Sequence, residues 1–307
     1  MSTLKAIWSI DLFDTKSSFH KNVVGFLKSL GKGRTLEITA AYVVSPIQVN
    51  LPVTFPPQVL EEYQKSSEKL MEKVLKKHPL PGLKKSVVLA EPQPSFKLAA
   101  DHLIREAKSQ GAQMIVLGNH GRSGLKRLIY GSFAETLVLR SDVPCVLVSP
   151  KAKGSTAIKT ILFGTDFSSA SKRAFEKTLD FAKRLNATVV LFHKIPLRID
   201  PIIQTALPML GGGWASVEPL IAAEKDRVSE VSRDWLKVAQ AKGLSIRFVE
   251  DNSNRSTSDS ILAAAKKHKA QLISVASQSS SVQSTLLGSV TRELIRTTDL
   301  PLMIEHP

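Results

Sequence analysis

Gly118-Asn119-His120-Gly121-Arg122-Ser123-Gly124-Leu125-Lys126-Arg127-Leu128-Ile129-Tyr130-Gly131-Ser132 is the stretch on which the reading of this chain turns. It leaves a bare apolar run at 114–117 and enters a helical pattern at 132–140. An uninterrupted apolar run is what a strand shows when both faces of its sheet are covered. A strand that empties through glycines into a helix is suited to phosphate. Glycines let backbone N–H groups approach an anion closely, and the helix start adds unpaired N–H groups and the positive end of a dipole. The Ser132 hydroxyl can donate to a phosphate oxygen.

Working outward, strand and helix signals alternate. In the first half, strands are expected at 6–10, 36–44, 87–89, 114–117 and 145–148, and helices at 17–30, 58–77, 96–110 and 132–140. Ser95 reads as a helix N-cap and Gly111 as a stop. The second half repeats the order, with strands at 160–163, 188–193, 245–249, 272–275 and 302–304 and helices at 168–185, 217–242, 258–269 and 289–297. The closing phrases correspond. Gly131-Ser132 and Ser141-Asp142-Val143-Pro144 match Gly288-Ser289 and Thr298-Asp299-Leu300-Pro301. A repeat of about 155 residues follows, with units at 1–150 and 158–307 and a polar linker at 151–157 containing Gly154.

The expected fold class is therefore α/β: two tandem doubly wound domains, each a five-stranded, mainly parallel sheet flanked by helices. Ligands of such sheets sit beyond the carboxyl ends of strands, where the strand order reverses. Strands one and four should lie there, which sets Asp11 and the 118–131 loop at one crevice. Asp11 is chemically suited to accept from ribose hydroxyls. A fifth strand at the sheet edge leaves backbone groups that need covering. The edge strand at 145–148 is accordingly expected to lie against 302–304.

Gly118-x2-Gly121-x9-Gly131-Ser132 resembles the phosphate-loop pattern of the universal stress protein family. Asp11 and Asp166 are similar to the acidic residue that ends the family's first strand, and the tandem repeat resembles the two-domain members over essentially the whole chain. The resemblance implies an adenine nucleotide α-hydrolase-like fold and a stress-response regulator that binds ATP, alone or with magnesium. Gly118, Gly121, Arg122, Gly131 and Ser132 would belong to the phosphate end of the site. Asp11 would hold the nucleoside, and Val43 would meet adenine through its backbone. Family members commonly pair through the fifth strand. A homo-oligomer such as a dimer, and a regulatory protein partner, are further expectations. No catalytic residue or metal ligand is assigned.

The halves differ at this motif. The first follows its acidic residue with Leu12-Phe13-Asp14, which adds negative charge, whereas the second reads Thr165-Asp166-Phe167-Ser168, close to the family opening. The second half's loop, Val275-Ala276-Ser277-Gln278-Ser279-Ser280-Ser281-Val282-Gln283, has no glycine before Gly288. Ser289 is there expected to cap a helix. One ATP per chain, in the first domain, is the consequence.

The bulk composition narrows the classes. An apolar share of 43% is that of a globular chain. No apolar run reaches the roughly 18–20 residues of a membrane span. The first eleven residues enter a strand without a signal-peptide pattern, so a cytoplasmic protein is expected. The single cysteine, Cys145, lies in an apolar run and reads as a buried strand residue. The net charge of +15 divides as 22 basic against 12 acidic residues up to Lys153 and 20 against 15 beyond it. Charge so spread indicates a solvated basic surface, with no specific nucleic-acid partner. His120 reads as a surface residue, and Lys126 and Arg127 as loop cations.

Two other readings stay open. The loop at 196–216, with Ile202, Ile203, Leu207, Met209 and Leu210, could cover an apolar or other non-nucleotide small molecule in the second half. An ATP-using ligase or adenylyltransferase on a related fold would need a His-x-Gly-His or Ser-Gly-Gly-x-Asp-Ser motif at the first strand's exit, and neither is there.

Overall fold

A computed structural model describes residues 3–13, 17–118, 132–152, 157–195, 218–277 and 287–306. The first half runs β1 (Leu4–Ser9), α1 (Ser17–Leu30), β2 (Leu36–Val44), a 3-10 turn (Pro46–Val49), α2 (Pro57–Lys77), β3 (Leu83–Ala90), α3 (Phe96–Ser109), β4 (Met114–Gly118), α4 (Ser132–Arg140) and β5 (Cys145–Val148). The second runs β6 (Thr160–Thr165), α5 (Ser169–Leu185), β7 (Thr188–Lys194), α6 (Glu218–Ala241), β8 (Ile246–Asp251), α7 (Thr257–Lys267), β9 (Leu272–Ala276), α8 (Ser289–Thr297) and β10 (Leu302–Glu305). Serine hydroxyls start three of the helices. Ser95 accepts from Leu98 N at 3.3 Å, Ser168 from Ser171 N at 3.1 Å and Ser256 from Asp259 N at 3.1 Å. Gly111, with φ +62°, turns the chain just past α3.

The ten strands among the described residues form one sheet in the order β3-β2-β1-β4-β5-β10-β9-β6-β7-β8. Pairing is parallel throughout except at the centre, where β5 and β10 run antiparallel with Leu302 opposite Leu147, Met303 opposite Val146 and Ile304 opposite Cys145. The expected junction of the two halves is thus the one observed. Strand order reverses between β1 and β4 and again between β6 and β9. Residue parity along the strands separates two cores. One contains Trp8, Val116, Val146 and Met303 under α1, α2, α5 and α6. The other contains Ile7, Ile115, Leu147 and Leu302 under α3, α4, α7 and α8. Each core crosses the junction. Cys145 is buried there, and burial pushes its thiol up to about 12.

The repeat extends to individual hydrogen bonds. Gln113 Oε1 accepts from Lys5 N at 2.6 Å, and Gln271 Oε1 accepts from Lys159 N and Thr160 N, both at 2.9 Å. Ser141 Oγ and Thr298 Oγ1 each accept an N–H and donate to a carbonyl two residues ahead, tightening the turns into β5 and β10. Asn22 on α1 donates to the carbonyl of Pro150 at 2.6 Å, and Lys177 at the matching place on α5 donates to that of His306 at 2.6 Å.

The cores themselves are not equivalent. Val23, Val116 and Val148 of the first half correspond to Thr178, Ser274 and Glu305 of the second, counting from Asp11 and Asp166 and from the ends of β5 and β10. Thr178 Oγ1 and Ser274 Oγ satisfy each other at 2.8 Å. Glu305 is 1% exposed, and neither carboxyl oxygen has a hydrogen-bond partner among the described residues. Burial pushes its pKa up to about 8, against the opposing pull of Lys177. Between the ordinary 4.5 and about 8, only the unfolded chain gives up this proton. Rising pH therefore favours unfolding over that window, by up to about 1.4 kcal/mol per pH unit, and the loss levels off above it. Urea midpoints measured from pH 5 to pH 9 should fall in the parent chain, and Glu305→Gln should flatten that slope. Parallel profiles for the two proteins would remove Glu305 as its source.

Candidate functional site

The register of the central strands places the first-half site. Ser9 of β1 lies opposite Ala41 of β2 and Leu117 of β4. Asp11 is two residues past that row, Val43 two past it on β2, and Gly118 one past it on β4. At about 3.3 Å per residue, all three stand on the same carboxyl edge. A parallel ladder turns successive residues to opposite neighbours. Ala41 O accepts from Ile10 N at 2.9 Å and so faces β1. Val43 faces the same way but beyond the last paired residue of β1, so its backbone opens on the crevice. Its side chain is 3% exposed and seats the strand in the core.

Asp11 Oδ1 accepts from Phe13 N at 3.0 Å, an Asx turn that bends the chain away from the sheet. Leu12 is drawn inward by the turn, while Phe13 is 43% exposed beside the Tyr42 ring at 6.3 Å. Gly118, at the end of β4, pairs with Val148 of β5. The described backbone resumes at Ser132, the first residue of α4. Gly121, Arg122 and Gly131, with His120, Lys126 and Arg127, lie outside the described residues, as do Asp14 and the 196–216 loop. Arg140 grips Asp101 at 2.7 and 2.9 Å and so fixes α4 to α3.

The structure adds a polar wall that the sequence reading missed. Beyond Val43, Ser45 Oγ donates to Gln93 O at 3.0 Å. The buried Glu91 accepts from Gln93 N at 2.8 Å, and His102 Nε2 lies 3.4 Å from its other oxygen. The one signal for this wall is the polar run Glu91-Pro92-Gln93-Pro94-Ser95 between β3 and α3.

The second half fills the same places differently. Asp166 Oδ1 accepts from Ser168 N at 3.0 Å, the turn seen at Asp11. At the place of Val43 stands Lys194, whose side chain is 8% exposed. Its ammonium donates to the carbonyls of Ser253 and Asp251 and lies 3.6 Å from the Asp251 carboxylate. Ala276 replaces Gly118, and its carbonyl accepts from Thr291 Oγ1 at 3.1 Å. Gly288 N donates to Ser277 O at 3.1 Å. The start of α8 is therefore laced onto the end of β9, where a phosphate would need room. Ser289 does not cap that helix as expected. Gly288 is the cap residue and no side chain bonds there, since the chain enters the helix one residue earlier.

His193, at the place of Tyr42, lies against Phe167 with ring centres 5.0 Å apart, and Phe167 in turn meets Trp235 at 5.0 Å. Phe167 has φ +58°, a left-handed conformation unusual for a bulky side chain. His193 Nδ1 is 2.9 Å from Thr165 O, which can only accept, so that nitrogen carries the proton. Nε2 then points toward Glu224, 3.8 Å away, and Glu224 is itself held by Arg227 at 2.7 and 2.8 Å.

Two open α/β units sharing one sheet, each with its strand order reversing beside its first strand, define the class of this protein. The family model of the universal stress proteins matches residues 13–149 and again 157–306, so the chain belongs to the universal stress protein family. Universal stress protein YxiE of Bacillus subtilis is 27% identical over 122 residues, 40% of this chain and 78% of that protein. A universal stress protein of Mycolicibacterium smegmatis is 27% identical over 206 residues, 65% of this chain and 63% of that one. A solved universal stress protein structure from Archaeoglobus fulgidus superposes with a TM-score of 0.61, covering 98% of this chain and 96% of that one at 18% identity, a likeness of fold. Among the described residues no helix is long and apolar enough to cross a membrane, and no three His, Cys, Asp or Glu side chains gather as a metal site.

Burial lowers the pKa of His193 below its ordinary 6.5. As pH falls through 6.5 the unfolded chain takes up the proton first, so His193 should cost stability on the acid side until it too is protonated. His193→Gln should lessen the loss of thermal stability between pH 7 and pH 5. An unchanged loss would point to other groups.

Proposed function

We propose that this protein is a stress-response regulator that binds one ATP per chain, in its first half. The observation that supports this most directly is the shared carboxyl edge of Asp11, the Val43 backbone and Gly118 where strand order reverses. The glycine spacing after Gly118 continues that edge into a phosphate loop. Asp11 is assigned to the ribose, the Val43 backbone to adenine, and Gly118, Gly121, Arg122, Gly131 and Ser132 to the phosphates, with magnesium as their counterion. Lys194 and Ala276 argue against an equivalent site in the second half, because one holds an ammonium at the adenine position and the other adds a Cβ at the phosphate turn. The units are taken to run 1–150 and 158–307, with function in the cytoplasm. The role is regulation by ligand occupancy rather than turnover.

Titration calorimetry with ATP, with and without magnesium, is expected to give a stoichiometry of one. Gly121→Val should weaken binding at least 100-fold while leaving the fold intact, because charge-assisted contacts worth about 1.5–3 kcal/mol each are lost together. Asp11→Ala should cost about tenfold, the value of one hydrogen bond. Asp166→Ala should leave affinity unchanged. Two sites per chain, or binding that survives Gly121→Val but not Asp166→Ala, would place the nucleotide in the wrong half.

A further inference from the structure

The large apolar side chains exposed among the described residues are Phe13, Leu51, Val53, Tyr63 and Leu70. Phe13 borders the site described above. The other four belong to α2 and the segment leading into it. Tyr63 and Leu70 are 37% and 38% exposed and seven residues apart, hence on one flank of the helix. Leu60, Ser67, Met71 and Val74 face the core, so this flank lies beside the buried side of α2. Phe55 is buried and stacks on Tyr63 at 5.0 Å, which holds the segment carrying Leu51 and Val53 alongside the helix.

We propose that this flank of α2 is the surface through which two copies of the chain associate, helix against helix and antiparallel about a twofold axis. Helix periodicity puts Glu62, Ser66, Lys69 and Lys73 next to Tyr63 and Leu70 on the outer side, and all four are exposed. An antiparallel pairing that sets Tyr63 over Leu70 of the second copy centres the axis between residues 66 and 67. Ser66 is then at the crossing, small enough for close helix packing at about 8–10 Å. In the same register Glu62 falls between Lys69 and Lys73 of the second copy. Residues on one side of such a pair meet residues of that same side, so both ends gain the contact. The stripe is thus complementary to itself in charge as well as in apolar surface, which an isologous interface requires. A membrane-facing helix would instead carry basic residues along its polar borders, whereas Glu61, Glu62, Glu68 and Glu72 alternate with the lysines here.

This association is independent of the ATP reading. Helix α2 is about 31 Å long at 1.5 Å per residue. A single helix pair of that length is small beside the roughly 1,200 Å² at which stable interfaces begin, so the dimer should be weak and dependent on concentration. Sedimentation velocity on the full chain from about 1 to about 100 µM should show a rising dimer fraction. Leu70→Glu should stay monomeric throughout, with circular dichroism and thermal unfolding unchanged. Glu62→Lys should raise the dissociation constant tenfold or more. Combining Glu62→Lys with Lys69→Glu and Lys73→Glu should restore the dimer, since each copy then carries the reversed pair. A parent chain monomeric at every concentration would overturn the proposal, as would a dimer indifferent to Leu70→Glu. A monomer that co-sediments with phosphatidylglycerol vesicles, and loses that property on Leu70→Glu, would also overturn it by giving the stripe to a membrane.

Discussion

The antiparallel pairing of β5 with β10 is the contact on which the rest of the molecule depends. A five-stranded parallel sheet of this winding ends on a strand whose outer backbone groups have no neighbour. Here each half supplies the other's missing strand. The result is one sheet, and with it two cores that pass from half to half without interruption. Val146 and Met303 fill one face of the junction, and Leu147 and Leu302 the other. Among the described residues the outer edges of the sheet are β3 and β8. β3 meets solvent with Lys84, Lys85 and Ser86, charged and polar side chains that discourage further strand addition.

Within this common frame the two crevices have diverged by small means. The Asx turns at Asp11 and Asp166 show that the acidic residue serves the backbone in both halves. The differences lie one step further on. A valine whose backbone faces open space becomes a lysine pinned to the end of β8. A glycine becomes an alanine whose carbonyl is occupied. Beneath the second crevice, Thr178, Ser274 and Glu305 replace three valines. The hydroxyls satisfy each other and cost little, but the carboxyl has no partner among the described residues at a place where burial is nearly complete.

How much of this could be read beforehand follows from what each residue depends on. The repeat, the element order, the reversal between strands one and four and the pairing of the fifth strands were legible, because they rest on periodicity, on turn residues and on the need to cover an edge. β3 was read as 87–89 and runs from Leu83 to Ala90, since an edge strand pairs through its backbone and its lysines hide the alternation. The 3-10 turn after β2 and the Glu91–His102 wall gave no periodic signal. Lys194 lies just past the strand read at 188–193, and its burial depends on Asp251 and Ser253, more than fifty residues away. Glu305 lies just past the strand read at 302–304, and only the strand register shows that it takes the place of Val148. The site positions of the first crevice came from resemblance alone; the fold brings Asp11, Val43 and Gly118 to one edge, and Gly121 and Gly131 lie outside the described residues.

Joining the halves in one chain changes what the β5–β10 contact can permit. In an assembly of two identical subunits every substitution appears twice, on both sides of the axis, and a buried acid or a closed crevice would be imposed on both sites at once. A short covalent linker makes the pairing unimolecular, so dilution does not dissolve it. It also frees each half from copying the other. Each half can then change its own crevice without altering the other's, because the seam they share asks for backbone partners and apolar side chains and for nothing from the crevices above it.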